Sequence, residues 1–190
     1  MVSPTSLVAR ECARVVDTLI AQIPVFPLDA WAGVSSFSEA WDSCDLVSVA
    51  EHAWVEYDSI AVRVLTEFVP TTTHCLDFYS ERWKPWKFNF PLVVTGGPSC
   101  CPFSISGKRM RDRDSRSTQG MDTAVLACLL GAAVLIIENV SDLVTGDKVH
   151  HIMSDMIAFM LSKRRAIAGI WDFLHSDVGG CTNRRRVFPV

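Results

Sequence analysis

The chain reads as an α/β protein with one mostly parallel sheet and helices on both faces. Two observations predict this class. Short apolar runs rich in β-branched residues alternate with longer stretches of helical spacing, the signature of strand–helix–strand units. One of these runs, Phe90-Pro-Leu-Val-Val94, leads into Gly96-Gly97, and in open α/β sheets the carboxyl ends of the strands are where ligands bind. A length of 190 residues, 49% apolar and 21% charged, suits one domain with a sizeable core and argues against disorder.

Pro4 to Ile23 carries Leu7, Val8, Cys12, Val15, Val16, Leu19, Ile20 and Ile23 at helical spacing, which predicts an amphipathic N-terminal helix ended by Pro24 and Pro27. Residues 1–24 are therefore set apart from a body at 25–190. Val25 to Trp31 predicts the first strand, followed by a turn of small residues and a short helix to about Ser43. Asp45 to Ala50 predicts the second strand, ending at Glu51, and Val55 to Phe68 a helix. Thr72 to Leu76 predicts a short third strand with Asp77 at its end, where an aspartate also reads as a turn residue. Beyond the cysteine loop, Met121 to Ala133 predicts a helix, Val134 to Ile137 a strand and Asp147 to Lys163 a helix. Ala166 to Leu174 and Arg185 to Phe188 predict two last strands.

A formal net charge of −3 does not advertise nucleic acid, so any such contact has to come from local basic clusters. Lys108, Arg109, Arg111, Arg113 and Arg116 form one and Arg184-Arg-Arg186 another, and each also reads as solvated charge. Seven cysteines, without a Cys-x-x-Cys and without a secretory signal, point to a reducing intracellular compartment, the nucleus in a eukaryote or the cytoplasm in a bacterium. Histidine and cysteine spacing gives no metal-ligand pattern. The longest apolar run, Ala124 to Ile137, has 14 residues with Gly131 inside it and is too short to cross a bilayer, so no membrane partner is expected.

The loop Gly96-Gly-Pro-Ser-Cys-Cys-Pro-Phe-Ser104 resembles the catalytic loop of the cytosine-C5 DNA methyltransferases, Gly-Gly-Pro-Pro-Cys-Gln-Pro-Phe-Ser, and departs from it at Ser99 and Cys101. Ile137-Glu-Asn-Val140 follows at the separation of that family's Glu-Asn-Val motif. Leu28-Asp-Ala-Trp-Ala-Gly-Val-Ser-Ser-Phe-Ser38 is similar to the family's cofactor loop, Asp-Leu-Phe-Ala-Gly-x-Gly-Gly-Phe-Ser, with Ser35 and Ser36 in place of two glycines. Gly179-Gly-Cys-Thr-Asn-Arg-Arg-Arg-Val-Phe188 resembles its Gly-x-x-Gln-x-Arg-x-Arg segment, with Thr182 for the glutamine. Phe103 to Lys108 and Asp114-Ser-Arg116 look like its mobile loop, which closes over the target base.

The resemblance implies a Rossmann-like, S-adenosylmethionine-dependent methyltransferase sheet acting on DNA. It places the cofactor against Trp31, Gly33, Ser35, Ser36, Glu51, Asp77 and Pro98, with Glu51 on the ribose hydroxyls and Asp77 on the adenine amino group. Cytosine is a poor nucleophile at C5, so the family's route is covalent. Cys100 is implied as the thiolate that adds to C6, Glu138 as the carboxyl on the N3 side of the ring, and Arg184 and Arg186 as the groups that bond the base carbonyl. The target cytosine has to leave the duplex stack first.

Two other readings stay open. The tRNA branch of the family shares the thiol and glutamate but usually carries Pro-Phe-Thr where this chain has Pro-Phe-Ser104, and the departures at Ser35, Ser36, Ser99, Cys101 and Thr182 also suit a non-catalytic binding relative. The family's target-recognition region has no counterpart before Val190, so it is expected either upstream of Met1 or on a second polypeptide. Val2-Ser-Pro-Thr-Ser-Leu-Val-Ala-Arg10 resembles the segment before the family's closing helix, so the N-terminal helix is either that helix moved to the front or an ordinary added one.

Overall fold

The computed structural model describes residues 24–33, 48–49, 51–68, 73–75, 88–103, 114–141, 151–165, 169–174 and 185–190, with single positions 37, 40, 41, 143 and 176. The expected N-terminal helix, Ser35, Ser36, Asp77, Thr182, Arg184 and the cluster from Lys108 to Arg113 lie outside the described residues.

Five strands form a parallel sheet: β1 (Phe26–Ala30), β2 (Ala53–Val55), β3 (Thr73–Cys75), β4 (Leu92–Gly96) and β5 (Val134–Ile137), in the order β3-β2-β1-β4-β5. The chain moves outward from β1 to β3 and then returns across β1 to lay down β4 and β5. The switch of direction falls between β1 and β4, which is where open parallel sheets offer a ligand crevice. Helix α1 (Ser59–Phe68) joins β2 to β3, and α2 (Gln119–Leu129) joins β4 to β5. Such crossovers let consecutive strands run parallel.

Alternation along the strands divides the sheet's faces. Phe26, Leu28 and Ala30 of β1, Ala53 and Val55 of β2, and Leu92 and Val94 of β4 form one apolar cluster with Leu126 and Ala127 of α2. On the opposite parity, register aligns Asp29 with Trp54 and with Thr95, and all three are buried. Thr95 Oγ1 donates to Asp29 Oδ1 at 3.3 Å, so this carboxylate is bonded inside the sheet.

Asp58 caps α1, its Oδ1 accepting from the N–H groups of Ile60 and Ala61 at 3.0 and 2.9 Å, while Ala61 and Leu65 turn inward four residues apart. Gly131, at φ +71°, ends α2 in the left-handed conformation that only glycine adopts without strain, and the Ala132 N–H closes back on the Ala127 carbonyl at 2.8 Å.

After β5 the same run continues as β6 (Asn139–Val140), which pairs antiparallel with β8 (Arg185–Pro189), and β8 pairs antiparallel with β7 (Ile170–Leu174). Helix α3 (His151–Ser162) lies against α2 and buries Met153 and Met156. Among the described residues no helix is long and apolar enough to cross a membrane.

The strands correct the expected boundaries in two places. The second runs at Ala53–Val55 rather than Asp45 to Ala50; of the expected stretch, Val49 forms an isolated parallel bridge to Val25. The register that buries Trp54 across from Asp29 fixes it there. β4 runs through Gly96, so the turn begins at Gly97. Helix α1 starts at Ser59 because Val55 is consumed by β2 and Asp58 supplies the cap.

Leu28 is wholly buried at the sheet's centre, whereas Ile60 on α1 is 64% exposed. Leu28→Ala is expected to lower the unfolding free energy by about 2–5 kcal/mol through transfer and cavity terms. Ile60→Ala should stay within about 0.5 kcal/mol. Urea denaturation of the two variants measures both.

Candidate active site

Strand register brings the strand ends into one row. Cys75 pairs with Val55, Val55 with Ala30, Ala30 with Gly96, and Gly96 with Ile137. The first residues past that row are Glu56, Trp31, Gly97 and Glu138, so four loops leave the sheet side by side.

The β1 loop is tied to the β2 loop by a carboxylate. Glu56 is buried; its Oε2 accepts from the Gly33 N–H at 2.8 Å, and its Oε1 accepts from the Tyr57 and Asp58 N–H groups at 2.7 and 2.8 Å. Ala32 N–H adds a bond to the Val55 carbonyl at 3.1 Å. Trp31 sits at φ +59°, a costly conformation for a bulky residue, and is held there by its indole N–H on Thr123 Oγ1 at 3.0 Å. Gly33, at φ +57°, has nothing within 4 Å of the place a Cβ would take, so the space beside the loop is open. The Tyr57 ring stands edge-on to Trp31, with centroids 6.4 Å apart, and is 67% exposed.

The cysteine loop is held from three sides. Gly97 N–H reaches the Ala30 carbonyl at 3.3 Å, Ser99 N–H donates to Gln119 Oε1 at 2.9 Å, and Asn139 Nδ2 donates to the Pro98 carbonyl at 3.4 Å. A tight turn follows, with Phe103 N–H on the Cys100 carbonyl at 2.9 Å. Cys100 is half-buried and Cys101 is exposed. The place a Cβ on Gly97 would take lies 3.9 Å from Glu138 Oε2 and 4.0 Å from the Trp31 carbonyl, so three loops converge at this residue.

Glu138 N–H bonds the Gly96 carbonyl at 2.8 Å, and its carboxylate forms an ion pair with Arg186 Nε. The antiparallel pairing of Val140 with Arg186 carries that arginine to the strand end. Both side chains are mostly covered, at 29% and 13% exposure. The neighbouring Arg185 faces away and pairs with Asp172. Asp114 grips Arg116 through two side-chain bonds at 2.9 and 2.7 Å and caps the short 3-10 turn Ser115–Thr118. The side-chain bond to Arg116, supported by the Arg116 N–H, holds the Asp114 carboxyl down to about 2, so this pair stays ionised at neutral pH and is lost only as the pH falls toward that value.

The structure thus brings together Trp31, Gly33, Pro98, Glu138 and Arg186, with Cys100 on the same loop as Pro98. Glu51 is exposed and precedes β2, at the opposite end of that strand, so the acid at the carboxyl end is Glu56. The sequence held a signal for it: Ala53-Trp-Val55 is itself an apolar run, with an acid and an aromatic directly after. Gln119 and Thr123, which hold the loops, had no sequence signal beyond their polarity, and Asn139 was visible only as a member of the Glu-Asn-Val motif. An apolar cavity of about 370 Å3 lies elsewhere: Val134, Leu135, Met156, Met160 and Pro189 are among its lining, and none of Trp31, Gly33, Glu56, Gly97, Cys100, Glu138 or Arg186 is.

The family model for C-5 cytosine-specific DNA methylases matches residues 27–190. The chain belongs to the C-5 cytosine-specific DNA methylase family. Its fold is similar to that of a protein assigned as a DNA modification methyltransferase encoded within an Escherichia coli prophage, at 24% identity and a TM-score of 0.66 over 87% of this chain and 45% of that one. It is similar to the Entamoeba histolytica methyltransferase EhMeth, at 15% identity and a TM-score of 0.67 over 88% and 52%. It is also similar to a mutant of DNMT2 from Spodoptera frugiperda, at 20% identity and a TM-score of 0.60 over 86% and 48%. The chain spans about half the length of these structures. No curated protein matches it. The sheet is the Rossmann-like methyltransferase sheet of this C-5 cytosine-specific DNA methylase family.

Glu56→Ala leaves three backbone N–H groups without their acceptor and is expected to cost about 1.5–3 kcal/mol of stability. Glu51→Ala is expected to change stability by no more than about 0.5 kcal/mol. Equilibrium denaturation compares the two directly.

Proposed function

We propose that the chain is the catalytic portion of an S-adenosylmethionine-dependent DNA cytosine-C5 methyltransferase that works through a covalent Cys100 adduct. The observation that carries the reading is the Glu138–Arg186 pair set beside Gly97 of the cysteine loop, which joins three motifs distant in sequence at one strand-end row.

The residues at the β1 and β2 ends suit the cofactor. Glu56 keeps acceptor capacity beyond its three N–H partners and suits a ribose hydroxyl, Tyr57 offers an exposed ring for the adenine, and Gly33 leaves open space for close approach. Glu56 takes the role first expected of Glu51, and Ser35, Ser36, Asp77 and Pro98 remain proposed contacts. The cofactor when bound supplies an electrophilic methyl group.

The Cys100 sulfur adds to C6 of an extruded cytosine, which makes C5 electron-rich. Glu138 meets the N3 side of the ring, and Arg186, with Arg184 proposed beside it, bonds the base carbonyl; their mutual ion pair keeps both groups positioned until the base enters. After transfer, loss of the C5 proton expels the Cys100 thiolate and restores the ring. DNA is the proposed substrate because Ser104 follows the DNA pattern, with tRNA as the comparison. A second polypeptide is proposed to read the target sequence.

DNA bearing 5-fluorocytosine should become covalently attached to the native chain through Cys100 when cofactor is supplied, and Cys100→Ser should abolish the adduct. An adduct that survives Cys100→Ser and disappears in Cys101→Ser overturns the register. Glu138→Gln is expected to lower methyl transfer by about 10²–10⁴-fold. Labelled methyl transfer to duplex DNA, to tRNA, and to DNA with an added candidate partner separates the substrates, and transfer to tRNA alone would reassign the chain. Glu56→Gln should weaken cofactor binding in calorimetry while Glu51→Gln leaves it unchanged.

A further inference from the structure

We propose that Cys101 is a peroxide-reactive thiol whose oxidised sulfur is captured by Cys100 in a reversible disulfide when a hydroperoxide reaches the loop, switching the nucleophile off and sparing it from irreversible oxidation. The proposal rests on the reading of Cys100 as nucleophile and adds a regulation to that site.

Three observations carry it. Cys101 follows Cys100 directly, where the resemblance expects a glutamine, so the two sulfurs are covalently tethered neighbours. Cys101 is exposed while Cys100 is half-buried, and both stand in the tight turn closed by the Phe103 N–H, so oxidant meets Cys101 first. The Arg116 guanidinium, fixed by its two bonds to Asp114, lies near enough to the Cys101 thiol to interact with it electrostatically.

The chemistry balances with a hydroperoxide as the only added reagent. The Cys101 sulfur attacks the peroxide's terminal oxygen: an S–O bond forms, the O–O bond breaks, and the other oxygen leaves as water or alcohol with the thiol's proton. The Cys100 sulfur then attacks the Cys101 sulfur: an S–S bond forms, the S–O bond breaks, and hydroxide leaves as water with the Cys100 proton. Two thiols lose one electron each and the peroxide gains two. Consecutive Cα atoms lie about 3.8 Å apart, below the usual span of a disulfide, so the ring is strained and readily reduced, as a switch requires.

The full chain, reduced and then exposed to hydrogen peroxide without DNA or cofactor, is alkylated and digested. The peptide holding Cys100 and Cys101 should lose two hydrogens in mass, resist alkylation, and recover both properties with dithiothreitol. Adduct formation on 5-fluorocytosine DNA should fall with the disulfide and return to within about twofold on reduction, whereas Cys101→Gln should advance Cys100 to the sulfinic acid and stay at least about tenfold down after dithiothreitol. A peptide that keeps both hydrogens, or a native chain that accumulates sulfinic acid at Cys100, overturns the switch. Failure of the reduced native chain to form any adduct overturns the nucleophile reading instead, and the mass measurement still decides the switch.

Discussion

Parallel pairing in one continuous register is the constraint on which the site depends. Because Val55, Ala30, Gly96 and Ile137 are hydrogen-bonded neighbours in a row, the residue after each leaves the sheet at the same level. A shift of one residue in any pair would move an acid or a glycine out of that row and invert the faces of the strand. The core resists such a slip: Leu28, Val94, Ala53 and Val55 are wholly or almost wholly buried on one face, and Asp29, Trp54 and Thr95 on the other. Packing energy spread over the sheet is thereby converted into positional precision at its edge, which is what a reaction sensitive to small displacements needs.

Local hydrogen bonds then complete what register begins. Glu56 binds three N–H groups and makes the β1 and β2 loops one unit, and Thr123 ties Trp31 to α2 while donating to the Gln119 carbonyl at 2.7 Å. Gln119 in turn holds Ser99. The path from Trp31 through Thr123 and Gln119 to the cysteine loop is continuous, so the strained backbone at Trp31 is over-determined by its surroundings. A strained conformation held in this way excludes alternatives in which the β1 loop and the cysteine loop drift apart.

Much of this was legible in the sequence, and the limits have physical causes. Apolar, β-branched runs announce strands by composition alone, which is why β1, buried throughout, and β5, apolar throughout though buried only at Ile137, are located within a residue or two and the parallel class follows. The second strand was misplaced because two apolar stretches precede two acids, Leu46 to Ala50 before Glu51 and Ala53 to Val55 before Glu56. Composition cannot choose between them; pairing with β1 does, because only the second sets Trp54 beside Asp29. Glu138 and Arg186 were each legible from their motifs, but their contact depends on the antiparallel register of β6 and β8, a long-range property no local window contains.

The position of Glu138 follows from a change of partner along a single strand. Up to Ile137 the run is bonded to β4; from Asn139 it is bonded to β8, and Glu138 is the residue at the exchange. Extending the antiparallel ladder backwards would set Ile137 against Pro189, which has no N–H to give, and the paired residues begin at Asn139. An apolar cavity lies on this side, lined by Val134, Leu135, Ile137, Pro189 and Val190 together with Ala127 and Cys128 of α2 and Met156 and Met160 of α3. On the other side of the exchange the ladder closes and brings Arg186 to Glu138. The exchange of partners at Glu138 thus sets its carboxylate at the row of strand ends and within reach of Arg186.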